Sequence, residues 1–160
     1  MSELTMVKLH KTVPGSSEWL EPALERVTAA CQADPNAETD GRELGEHLVE
    51  SFCHDPDVAR YLFIVAVNET EVHGHIIARI DVGYENRRQC WIGFFALDRG
   101  FHWGDLVEQG FAEIEEWAAG HGCHEILVSA YSQSHARLYR LPRYGGFDVR
   151  NLVLSRRIDP

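Results

Sequence analysis

A chain of 160 residues, 44% of them hydrophobic, is long enough to bury one core, and residues 1–160 are expected to form one domain. Its formal net charge of −10 argues against nucleic-acid binding, which requires phosphate neutralisation, and is compatible with a cationic substrate or a basic partner. No apolar run reaches the roughly 18 residues of a membrane span, so no membrane insertion is expected.

The stretch Met1–Lys11 mixes charges with apolar residues and lacks the apolar centre of a signal peptide, which predicts a cytoplasmic protein. Leu4–Val13 contains alternating apolar positions and reads as a first strand. Pro14-Gly15-Ser16-Ser17 breaks it and supplies helix caps. Leu20, Leu24, Val27 and Cys31 then recur at helical spacing, up to Asp34-Pro35-Asn36. Asp40 with Glu43 resembles a capping box, and Leu44, Leu48 and Phe52 give a second helix one apolar stripe. Tyr61–Val67 is nearly all apolar, as a buried strand would be. Asn68-Glu69-Thr70-Glu71 is a hairpin turn, and Val72–Val82 a strand with Gly74 at a bulge or close approach. After a turn at 83–88, Gln89–Leu97 completes an antiparallel meander. Val107, Gly110, Phe111, Ile114, Trp117 and Ala118 predict an amphipathic helix over Asp105–Ala119, stopped by Gly120 and Gly122. Glu125–Ala130 is a short strand, parallel to its predecessor if the crossover is right-handed. A helix capped by Ser132 or Ser134 ends near Leu141, ahead of Pro142. Tyr144-Gly145-Gly146-Phe147 turns the chain into a final strand, Asp148–Ile158, whose edge offers a dimer contact. The fold class is α/β, a mixed central sheet flanked by helices in the order β-α-α-β-β-β-α-β-α-β.

The four cysteines, Cys31, Cys53, Cys90 and Cys123, lie in periodic apolar segments and are expected to be reduced core residues. The histidine groups His73-x-His75 and His121-x-Cys123-His124 show neither a paired C-x-x-C nor an H-E-x-x-H pattern, so no metal site is predicted. Arg137, Arg140, Arg143, Arg150, Arg156 and Arg157 crowd the last quarter, either as a solvated face or towards an anionic ligand.

The element order, together with three local signatures, resembles the Gcn5-related N-acetyltransferase (GNAT) superfamily over almost the whole chain. The connection Phe94-Phe95-Ala96-Leu97-Asp98-Arg99-Gly100-Phe101-His102-Trp103-Gly104 is similar to the acetyl-CoA motif Gln/Arg-x-x-Gly-x-Gly/Ala, with Arg99 and Gly104 in place and His102 where the first glycine is usual. The hairpin Val65–Ile77 resembles the family's second and third strands. Ala136-Arg137-Leu138-Tyr139 followed by Tyr144-Gly145-Gly146-Phe147 resembles its C-terminal helix-to-strand segment, with a small insertion that includes Pro142.

The resemblance implies an acyltransferase that uses acetyl-CoA as co-substrate and a small-molecule or protein amine as acceptor. A helix N-terminus offers unpaired amides and a favourable dipole to a pyrophosphate, and glycines let the backbone approach it. The amides of Gly100, Phe101, His102, Trp103, Gly104 and Asp105 are then the pyrophosphate donors, with Arg99 adding charge or fixing the loop. The backbone of Phe94, Phe95 and Ala96 would pair with the pantetheine arm. His102 would either crowd the phosphates or donate to one. Transfer also needs a general acid for the leaving thiolate and a base for the amine. Tyr139 is the acid candidate and Tyr144 its runner-up. The strand before the motif carries no carboxylate at Gln89–Gly93, which leaves Asp81, Glu85 or a water chain as base. Two other readings follow. One is a non-catalytic protein of the same fold, docking on a basic partner as a decoy or inhibitor. The other is transfer of a different acyl group, with Trp91, Phe94, Phe95 and Trp103 shaping its pocket.

Overall fold

The computed structural model describes residues 4–9, 17–33, 43, 60–83, 86–101, 103–129, 137, 139–142 and 145–148. Their elements are β1 (Thr5–Leu9), α1 (Ser17–Gln32), β2 (Tyr61–Val67), β3 (Val72–Val82), β4 (Arg88–Leu97), α2 (Gly104–Gly120) and β5 (Glu125–Val128). The helix expected around Leu44–Phe52, most of the helix before Pro142 and the final strand from Asp148, with its dimer edge, lie outside the described residues.

The described sheet has five strands in the spatial order β1-β2-β3-β4-β5. The first four are antiparallel neighbours. β5 lies parallel to β4, as a strand–helix–strand crossover requires. The β2–β3 turn is closed by Asn68, whose Oδ1 accepts from the amides of Thr70 at 2.9 Å and Glu71 at 2.8 Å. Such a side chain reproduces a turn that the backbone would otherwise make alone.

Alternation assigns each strand residue to a face. Phe63, Val65, Val67 and Ile77 meet Ala23, Leu24 and Val27 of α1 on one side. Leu62, Ile64, Ile76, Ala78, Cys90 and Ile92 meet Val107, Phe111, Ile114 and Ala118 of α2 on the other. Buried α2 positions fall four, three and four residues apart, the stripe that the sequence shows. Each larger side chain so buried contributes roughly 1.5–3 kcal/mol.

One irregularity in β4 prepares the functional region. Cys90 and Ile92 face α2, and so do Phe95 and Leu97, so the parity changes between them. The extra residue is Gly93: Ile77 pairs with Phe94 and Ala78 with Ile92, skipping it. A bulge of this kind redirects the strand beyond it.

Candidate functional site

β4 is paired on both sides only in its first half. β5 follows it from Gln89 to Ile92 and then stops, whereas β3 follows it to Leu97. Beyond the bulge, no strand among the described residues pairs with the outer edge of β4. The amide of Asp98 donates to the carbonyl of His73 at 2.9 Å, which fixes the hydrogen-bonding phase of the ladder. Asp98 and Ala96 therefore direct their main-chain groups towards β3, and Phe95 and Leu97 direct theirs outward. Two residues of β4 thus present amide and carbonyl groups to an open edge, which suits an extended ligand adding as a strand.

The edge leads into a tight turn and a helix. Gly100 adopts φ +95°, a conformation that strains any residue with a Cβ. Arg99 beside it is exposed. Trp103 ends the turn, and its Nε1 donates to the carbonyl of Asp98 at 2.8 Å. Its ring lies over β3 at Gly74, where a Cβ would meet Leu97 Cδ2 at 2.8 Å and Trp103 Cη2 at 3.1 Å. The close approach anticipated at Gly74 is therefore real, while the bulge in β3 falls one residue earlier, at His73. α2 starts at Gly104 with no side-chain cap, and its first intrahelical bond runs from the Val107 amide to the Trp103 carbonyl at 2.8 Å. The amides of Gly104, Asp105 and Leu106 precede that bond and point out of the helix end. Gly104 and Asp105 are exposed.

Tyr139 approaches the same edge from the α2 face. It is 8% exposed, and its ring lies 6.4 Å from that of Phe95 and 6.2 Å from that of Phe147. The chain holds it there through the Phe147 amide, which donates to the Tyr139 carbonyl at 2.9 Å. Gly145 at φ +96° and Gly146 at φ +61° make the turn that brings Phe147 back.

No family model and no curated protein matches the sequence. Solved structures do match in three dimensions. An aminoglycoside N-acetyltransferase in complex with CoA superposes with a TM-score of 0.66 at 14% identity, covering 98% of this chain and 96% of that one. Glucosamine-6-phosphate N-acetyltransferase from Arabidopsis thaliana gives 0.65 at 13% identity, covering 98% and 99%. A GNAT family acetyltransferase from Staphylococcus aureus gives 0.59 at 16% identity, covering 99% and 100%. The fold is that of the GNAT acetyltransferases.

Within the GNAT fold of this chain, the expected residues divide by place. Phe94, Phe95 and Ala96 lie on the segment of β4 beyond the bulge, and Arg99, Gly100, Phe101, Trp103, Gly104 and Asp105 continue from it. Tyr139 joins them through Phe95. His102, Tyr144 and Glu85 lie outside the described residues. Asp81 is not brought to this edge. It pairs with Gln89 at the other end of the β3–β4 ladder, four residues from Ile77, the partner of Phe94. That separation is about 13 Å along the strand. Its carboxylate accepts from Arg79 Nη2 at 2.6 Å and lies 3.5 Å from Arg60 Nη2, so two guanidiniums engage the group expected to take a proton.

Sequence reasoning missed a polar cluster behind the loop. His73 Nε2 accepts from Asn68 Nδ2 at 2.7 Å, which leaves Nδ1–H to donate to Asp98 Oδ2 at 3.2 Å. Arg26 Nη2 of α1 reaches Asp98 Oδ1 at 2.9 Å. The His73 ring lies 4.4 Å from that of Phe101, which is 5.7 Å from that of Trp103. His75 has separate surroundings: its ring meets Phe63 edge-on at 6.4 Å, and its Nδ1 is buried without a hydrogen-bond partner among the described residues. Burial, and secondarily the Arg26 guanidinium, push His75 down to about 4 against an opposing pull from Asp98. The hint in the sequence is the pair of histidines in the first half of β3, ahead of the apolar run Ile76-Ile77-Ala78. Cys90 is a free thiol and fully buried; burial, with Cys123 adding to it, pushes it up to about 12, which suits packing rather than nucleophilic chemistry.

Proposed function

We propose that this chain is an acetyl-CoA-dependent N-acetyltransferase that moves an acetyl group to a primary amine, in one domain spanning residues 1–160. The observation that carries the reading is the open outer edge of β4 at Phe95 and Leu97, running without interruption into the glycine turn and the amide-lined start of α2. The open edge suits the amide-rich pantetheine arm, and the helix start suits the pyrophosphate. The structural neighbours act on small amines by their names, and one of them is in complex with CoA.

On this reading the amine attacks the thioester carbonyl, the C–N bond forms, and the C–S bond breaks. The departing thiolate takes the Tyr139 proton. The β4 segment Gly93–Leu97 contains no carboxylate, and Asp81 is engaged by Arg79 and Arg60. That leaves Glu85 or a water chain to take the ammonium proton of the acceptor, whose reactive fraction is the free base, and the proton that the nitrogen sheds after attack restores Tyr139. The negative charge of −10 favours a cationic acceptor in the encounter.

The same engagement of Asp81 favours a second reading, a CoA-binding protein without turnover that docks on a basic protein. Calorimetric titration with acetyl-CoA, followed by an assay for free thiol over a panel of amines, separates the two. Binding with turnover supports the transferase. Binding without turnover on any amine supports the second reading. No binding at millimolar CoA contradicts both.

A further inference from the structure

The loop assigned to the pyrophosphate begins on a carboxylate. Asp98 lies between the last residue of β4 and Arg99, and its side chain is 40% exposed. A negative charge there opposes an incoming pyrophosphate. Two groups answer it: His73 Nδ1–H at 3.2 Å, and Arg26 at 2.9 Å, which alone brings a permanent charge. Arg26 comes from α1, 72 positions upstream of Asp98, and its side chain is only 20% exposed. Its Nε is buried without a hydrogen-bond partner among the described residues. An unpaired buried donor opposes folding, and an apolar residue of similar length would serve packing between α1 and the sheet at least as well.

We propose that Arg26 is a positioning residue for the cofactor loop: it cancels the charge of Asp98 and ties the loop to α1. The proposal rests on the reading of Arg99–Asp105 as the pyrophosphate site. The mechanical link is short. Asp98 holds Trp103 through its carbonyl, Trp103 covers Gly74, and His73 holds Asp98 while its ring packs on Phe101. Displacing the Asp98 carboxylate therefore disturbs both aromatic residues of the turn. A ligand that fixes the turn also fixes Arg26, so coupling between the loop and α1 runs in both directions.

The test compares Arg26→Met, Arg26→Lys and a control, Arg60→Met, whose partner Asp81 lies at the far end of β3. Hydrogen exchange of the amides at 99–106 and of α1 is measured in the ligand-free proteins and with CoA, alongside CoA affinity and melting temperature. Arg26→Met is expected to melt no lower than the starting protein, to exchange faster over 99–106 without ligand, and to bind CoA roughly tenfold more weakly. CoA should slow exchange in α1 of the starting protein and not in Arg26→Met. Arg26→Lys, which keeps the charge, should recover most of the affinity, and Arg60→Met should match the starting protein. If Arg26→Met does not fold, the same change made with Asp98→Asn separates the two parts: the double variant, with no carboxylate left to cancel, should bind CoA within a few-fold of Arg26→Lys and still exchange faster over 99–106, because the tie to α1 is gone, and exchange as slow as in the starting protein overturns the proposal. Unchanged exchange over 99–106, or CoA affinity within twofold in Arg26→Met, overturns the proposal while leaving the cofactor site standing. A starting protein that does not bind CoA removes the site and the proposal together.

Discussion

From Gln89 to Ile92, β4 has β3 on one side and β5 on the other; from Phe94 to Leu97, among the described residues, it has β3 alone. Both halves are apolar, and both direct side chains at α2. Their main chains differ. In the first half every direction is used by the sheet, and the side chains Cys90 and Ile92 are 0% and 3% exposed. In the second half the Gly93 bulge has turned the strand, and the groups of Phe95 and Leu97 face outward. One strand is therefore core at one end and, on the proposed reading, a binding edge at the other, and the switch is a single extra residue.

Substitutions in the two halves should separate stability from function. Ile92→Ala removes a buried side chain from the paired half and should lower unfolding free energy by about 2–5 kcal/mol in urea titrations, with CoA affinity of the folded protein unchanged. Tyr139→Phe, which keeps the ring packed on Phe95, should leave stability and CoA affinity near their starting values and reduce kcat about 100-fold. An unchanged kcat would remove Tyr139 from the chemistry. Gly74→Ala acts on the open half from behind, because its Cβ would press on Leu97 and Trp103. It should cost about 1–3 kcal/mol in thermal or urea unfolding and weaken CoA binding as well, through the displaced turn.

An effect of comparable size, without any substitution, is a pH dependence from His75. Its folded pKa of about 4 lies below the ordinary 6.5, so between those values the unfolded chain binds more protons than the folded one. Stability from this group is therefore complete above pH 6.5 and falls as the pH is lowered towards 4. The loss is about 2 kcal/mol by pH 5. Urea unfolding at pH 7 and pH 5 should show it, and His75→Phe should remove that part of the difference.

Much of the scaffold is legible in local pattern. β3 matches its expected span, Val72–Val82. β4 starts one residue earlier than expected and α2 is one residue longer at each end, where backbone pairing rather than side-chain type sets the limit. β5 ends at Val128 rather than Ala130, because its partner leaves after Ile92. α1 begins at Ser17, earlier than the apolar stripe starting at Leu20, since the first turn carries Glu18 on an exposed face. The candidate site is legible where it is continuous in sequence, from Phe94 to Asp105, and at Tyr139, which the family resemblance nominates and the structure sets beside Phe95. Asp81 is a base candidate in sequence as a carboxylate on the strand before β4, and sequence holds no record that Arg79 and Arg60 would reach it. Arg26, His73 and Asp98 come from three elements, and their meeting depends on the sheet register and on the bulge at His73, neither of which leaves a periodic signal.

The central claim, that β4 becomes a binding edge beyond Gly93, is tested most directly by residue-resolved hydrogen exchange of the β4 amides with and without saturating CoA. The account predicts that the amides of Phe95 and Leu97 exchange readily in the free protein and are slowed on binding, while those of Cys90 and Ala96 are protected in both states. Binding of CoA with no change at Phe95 or Leu97 would contradict it.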